Sequence, residues 1–148
     1  MPALLTVEQI RTIRLAHTST LDALHSGEAS DATLWDWVES GLTWSRTSQL
    51  LGEGEPEMDA QLELMLSVLE RYGRTGRITL EGGEYEAARR GVMVMDMLAD
   101  RTTDVVASEA AMWSNAQLEA VKARVQRPRA AAAPGSALQV RAEQERHA

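Results

Sequence analysis

His17 is the residue in this sequence best placed to do chemistry. It stands between Ile13 and Leu21 in the middle of an apolar helical stripe, and an imidazole there could act as a base or as a switch near neutral pH. The plainer reading is a core histidine with one satisfied nitrogen. His25 sits eight residues further on, rotated by about 80° on a helix, and His147 lies near the end of the chain. These three cannot assemble a metal triad without distant carboxylates. The chain has no cysteine, which removes thiol chemistry, disulfides and cysteine-containing zinc sites. Asp96 interrupts the apolar run 92–98, where burial would raise its pKa. On a helical wheel, however, it shares a stripe with Glu86, Arg89 and Asp100, so a solvated position is expected. Glu81 and Glu84 flank two glycines, but that spacing fits neither a phosphate cradle nor a calcium loop. Arg71, Arg74 and Arg77 form a compact basic cluster that could grip a phosphate or an acidic patch. Alternatively they serve helix-end electrostatics and pair with the chain's own acids. No nucleophile, base and orienter come together, so the chain is expected not to be an enzyme and to need no cofactor or metal.

The elements that would position these residues read as helices. Thr6 and Gln9 make a capping-box pattern, with Leu5 and Ile10 as the hydrophobic staple. Ile10, Ile13, His17, Leu21 and Leu24 then form one stripe that ends near Ser26 and Gly27. A second helix should start after Asp31 or Thr33 and stop at Gly52, with Leu34, Trp37, Val38, Gly41, Leu42 and Trp44 on one face. Gly41 in that face would allow close approach of another helix. A third helix starts at Pro56 and ends before Gly73 as C′ residue. Its apolar arc (Met58, Leu62, Leu64, Met65, Val68, Leu69, Tyr72) spans roughly 200°, enough to touch two neighbours, or one neighbour and a partner chain. Residues 74–80 are β-like. A fourth helix is expected over 84–106, with Tyr85, Ala88, Val92, Met95, Ala99 and Val106 inward, and Ser108 as N-cap of a fifth. In the fifth, Met112, Leu118, Val121 and Val125 face inward; one helix running on through Ser108 is the alternative. The expected fold is an all-α, compact bundle of about five helices: a helical domain over residues 1–127, then a disordered tail over 128–148 that is rich in Ala and broken by Pro-Gly.

Charge narrows the partners. The net charge is −7, and it is unevenly placed: between Asp22 and Glu70 there are eleven acids and one base, Arg46, while residues 127–148 carry four Arg and two Glu. An acidic body repels phosphate, so direct nucleic-acid binding is disfavoured and a basic protein surface is the expected partner. The longest apolar stretch, near Val92–Met95, is far short of the ~20 residues a membrane span requires. With no basic, apolar leader at the start, the expected location is the cytoplasm and no membrane is involved.

The partner contacts are expected from three sets of residues. Asp59, Glu63 and Glu70 lie on one stripe of the third helix, joined by the acidic loop 53–57. Trp35 lies at the edge of its apolar arc, where partial exposure is expected, and Trp113 faces away from Leu118 and Val121; rim aromatics of this kind are common binding anchors. Arg74 and Arg77 complete the set. Solubility for the acids and core-edge packing for the tryptophans are the alternatives.

The opening helix with its Gly-containing turn, the helix bearing Trp35-Asp36-Trp37, and the run from Gly73 through Arg74, Arg77 and Leu80 to Gly82 together resemble short helical proteins of unknown function encoded on plasmids and prophages of proteobacteria. The likeness covers roughly residues 5–126 and brings no active-site residues with it. It implies a mobile-element setting, where small acidic proteins often inhibit host or rival machinery. The expected function is thus an acidic protein-binding module, with an inhibitor of the anti-restriction or anti-CRISPR type as its sharper form. The alternative is a structural helical homodimer or assembly protein without catalytic activity, with the wide arc of the third helix as its interface.

Overall fold

In the computed structural model, which describes residues 1–131 and side chains through Val125, Thr6 opens the first helix, α1 (Val7–Ser26). Its side chain accepts from the Gln9 amide while the Gln9 side chain accepts from the Thr6 amide, so two otherwise orphaned backbone donors are satisfied. Gly27 closes the helix at φ 78°, a left-handed conformation that suits glycine. The second helix, α2 (Asp31–Leu51), is capped by Ser30, not by Asp31 or Thr33. Thr33 acts as the reciprocal partner three residues on, its hydroxyl accepting from the Ser30 amide.

The third helix, α3 (Glu55–Thr75), ends on Gly76 at φ 72° and not on Gly73. Gly73 lies inside the helix, where an added Cβ would stand 3.8 Å from Val125, so it is a packing position. The β-like stretch forms no strand: residues 74 and 75 complete α3, and Ile78 and Leu80 lean on the core from an irregular connection. Among the described residues the only β pairing is an isolated antiparallel bridge between Leu4 and Thr103.

The long fourth helix expected over 84–106 is two elements. The fourth helix, α4 (Glu84–Ala99), stops early, and the fifth, α5 (Asp104–Ala131), starts before Ser108 and runs through it. Thr103 is the local cause, because its hydroxyl accepts from the Val106 amide and caps α5. Thr102 is buried in the bend, with its hydroxyl donating to Leu98 O. The bend is held from outside by the N-terminal residues, through Leu5 N to Thr102 O and Asp104 N to Ala3 O. Of the expected tail, residues 128–131 continue α5, and the rest lies outside the described residues.

Among the described residues, the all-α bundle of five helices is therefore what forms, and α2 is its axis. It touches all four other helices, with α1, α4, α3 and α5 arranged around it in that order. This explains why α2 is buried far beyond one face: Trp35, Ser45, Thr47 and Ser48 are inside as well. The buried hydroxyls are satisfied by its own backbone, Thr47 to Thr43 O and Ser48 to Ser45 O. Gly41 meets α3 so closely that a Cβ there would fall 2.2 Å from Met65 Sδ, as the close-approach reading expected. The wide arc of α3 is consumed internally by α2, α4 and α5, so it is not an open interface. On α5 the inward stripe is Ala110, Ser114 and Leu118, flanked by Val121 and Val125, while Met112 points to solvent at 76% exposure. Small residues at 110 and 114 let α5 close on α2.

Candidate functional site

The acids of α3 stand where their spacing places them. Asp59, Glu63 and Glu70 are all exposed, and at 1.5 Å of rise per residue they span roughly 16 Å. One residue escaped the sequence reading. Leu66 lies between Glu63 and Glu70 on the same stripe and is 54% exposed. The signal was present, since Leu66 is the one leucine of α3 that falls outside the apolar arc. Beside this strip, between the C-terminal half of α3 and α5, runs a groove of about 610 Å³ lined by Leu66, Leu69, Glu70, Arg74, Arg124 and Val125.

None of the three strip carboxylates makes an ion pair among the described residues. Arg14, Arg46, Arg89 and Arg101 pair with acids outside the strip: Asp100, Glu109, Glu86 and Glu53 respectively. Arg71 leaves the expected basic cluster altogether. Its guanidinium donates to both carboxylate oxygens of Glu84, at 2.9 and 3.0 Å, and to Thr79 O at 2.8 Å. Arg74 and Arg77 remain exposed at and just beyond the end of α3. Arg74 lines the groove.

The tryptophans are not part of this surface. Trp35, expected to be partly exposed, is buried at 9% exposure, edge-on to Tyr72 with the Lys122 ammonium over its ring. The reason is α5, which covers the side of α2 that a lone amphipathic helix would leave to solvent. Trp113 is half-buried and packed against the core, with the Arg46 guanidinium 5.9 Å from its ring centre. Both belong to the α2–α5 seam.

His17 is buried and engaged at both nitrogens, one more than expected. Trp44 Nε1 donates to Nε2 at 3.1 Å, and Nδ1 lies 2.9 Å from Asp96 Oδ1. An indole N–H can only donate, so Nε2 must be bare and Nδ1 must carry the proton. The solvated reading of Asp96 holds only in part: its side chain keeps 27% exposure and that of Asp100 53%, but both carboxylates pair with α1. Arg14 and His17 on α1 meet Asp100 and Asp96 on α4, and His25 stacks on Tyr85 at 3.8 Å, so the α1–α4 seam is a ladder of polar and aromatic rungs. A base at Nε2 would first have to release Trp44. Long-range ¹H–¹⁵N NMR of the imidazole is therefore expected to show a neutral ring protonated at Nδ1; a proton on Nε2 would mean the Trp44 bond is not made.

No protein-family model, no curated protein and no solved structure matches this chain. Among the described residues, fold and surface define a five-helix α-bundle with an acidic strip on one helix that makes no ion pair. Among the described residues no group of His, Asp and Glu side chains is arranged to hold a metal ion. No helix there is long and apolar enough to cross a membrane.

Proposed function

We propose that this protein is an acidic protein-binding module whose contact surface is the α3 strip Asp59–Glu63–Leu66–Glu70 together with the adjoining α3–α5 groove. The observation that carries this reading is Leu66, 54% exposed at the centre of three acids, Asp59, Glu63 and Glu70, that make no ion pair among the described residues. Acids kept only for solubility would need no apolar residue at their centre. A charged rim around an apolar contact is how protein interfaces combine steering with desolvated area. Arg74 and Arg77 at the end of the strip would add a contact for one acid of an otherwise basic partner.

The sharper form of the proposal is a cytoplasmic, non-enzymatic inhibitor of host or defence machinery, of the anti-restriction or anti-CRISPR type, carried by a plasmid or prophage. It rests on the resemblance and on the acidity, which suits occupation of a cationic site and disfavours direct contact with nucleic acid.

Affinity purification from a bacterium that carries the protein tests the reading, using wild type, Glu63→Lys and Leu66→Ser at two salt concentrations. Glu63→Lys is expected to lose the partner while folding stays within ~0.5 kcal/mol of wild type, because surface changes seldom cost more. Higher salt should weaken capture, since exposed charges are screened beyond about 8 Å at physiological ionic strength. If all three proteins bring down the same partners at both salts, the strip is not the contact surface.

A further inference from the structure

Two choices that weaken the fold meet at one place on the opposite flank of α3. Gln61 is buried to 2% exposure, yet its Nε2 has no hydrogen-bond partner among the described residues. A buried amide left unpaired is destabilising, and native proteins keep few of them. Facing it on α4 is Gly91, in the interior of a helix where glycine is a poor choice. The Gln61 amide occupies the space that a Cβ at Gly91 would take. A leucine at 61 with an alanine at 91 would be the ordinary solution for an α3–α4 contact.

Both residues line a groove of about 370 Å³ between α3 and α4, together with Ala60, Ala87 and Met93. Met93 is 61% exposed and Met97, one turn on, is 38% exposed. Glu57 lines the α3 side of the groove and Arg90 the α4 side. Neither has an ion-pair partner among the described residues, and they do not pair with each other. One acid and one base, on the two banks of one groove and held apart, make a surface whose charges complement a twofold copy of itself. Under a twofold axis residue i meets residue j and j meets i.

We propose that the α3–α4 groove is the interface of a homodimer. Two α4 helices pack antiparallel, and each copy seats Met93 in the other's groove. Arg90 meets Glu57 of the partner subunit on both sides of the axis. The partner's Met93 then covers the Gln61 side chain, which lines the groove. Small residues at 60, 87 and 91 allow the close approach. On the helical wheel the groove side of α3 lies roughly 140° from the Asp59–Glu70 strip, so dimerisation leaves the strip free and duplicates it.

Sedimentation equilibrium of the full chain across low to high micromolar concentration tests this. Wild type is expected to dimerise. Arg90→Glu, Glu57→Arg and Met93→Lys, all at exposed positions, should each raise the dimer dissociation constant by roughly tenfold or more, as loss of interface charge pairs and anchors does. The double variant Glu57→Arg/Arg90→Glu should recover most of the wild-type affinity, because the swap restores both pairs. The Gln61 side-chain amide resonances should shift on dilution in wild type. A chain that stays monomeric throughout, a dimer indifferent to these substitutions, or a double variant no better than the singles would overturn the proposal. The partner-capture experiment above fails or succeeds independently, since it reads the other flank of α3.

Discussion

Leu69→Ala is expected to destabilise the protein by about 2–5 kcal/mol, while Leu66→Ala, the same change three residues earlier on the same helix, should cost under ~0.5 kcal/mol. Leu69 is 1% exposed and belongs to the core cluster, whereas Leu66 is 54% exposed beside the acidic strip. Truncating Leu69 removes buried methyl groups and leaves a cavity whose lining relaxes only in part. Truncating Leu66 removes a side chain that already faces water. Leu21, at 6% exposure on α1, should behave like Leu69. Equilibrium urea denaturation of the four proteins measures the differences. A loss under about 1 kcal/mol at Leu69 or Leu21 would mean that the helix is rotated from the phase described.

Arg71→Met is expected to cost about 1–3 kcal/mol, less than the roughly 3–5 kcal/mol of a fully buried pair, because the two side chains keep 15% and 18% of their exposure. The guanidinium joins three segments: α3 itself, the connection at Thr79 and the first turn of α4 at Glu84. Methionine retains the apolar stem and deletes the charge, so the loss reports the polar contacts. The same pair has a signature in pH. Burial alone would raise the Glu84 pKa, but the hydrogen bonds from Arg71 and from the Glu81 amide, with the Arg71 charge, outweigh it and hold Glu84 below its ordinary value. The Arg71 pKa is raised, chiefly by its hydrogen bond to Glu84, so the guanidinium stays charged throughout. A carboxylate depressed in the folded state contributes stability that is full above its unfolded pKa and is lost as pH falls through its folded one. Wild type should therefore lose more stability than Glu84→Gln between neutral pH and the acidic end of the carboxylate range. Equal slopes for the two proteins would show that Glu84 titrates alike in folded and unfolded chains.

The elements that could be read from the sequence are those whose determinants are local. The Thr6–Gln9 capping box, Gly27 and Gly52 as stops, and the His17–Leu21–Leu24 stripe depend on neighbours within a turn or two, and they form as written. The acidic strip was legible for the same reason: i, i+4 and i+11 share a face on any helix, whatever packs behind it. Gly73 and Ser108 misled because a glycine and a serine suit a helix end equally well as a close-packed or exposed interior site. The choice between these needs the neighbouring helix.

What only the tertiary structure decided is where each face points. Asp96 and Asp100 form a stripe in either case, but α1 turns it from a solvated edge into half of a seam with Arg14 and His17. Trp35 is a rim residue on an isolated α2 and a buried one once α5 lies across it. The α4–α5 bend rests on Thr102 and Asp104 held by Leu5 and Ala3, roughly a hundred residues away in sequence. No window of local periodicity contains that pairing. The groove that carries Gln61 and Gly91 is likewise made by two helices, and neither residue has meaning as a site until the other stands opposite it. Helix formation is settled by hydrogen bonds between residues three and four apart, whereas exposure is settled by which distant surface is buried against which, and that is a property of the whole chain.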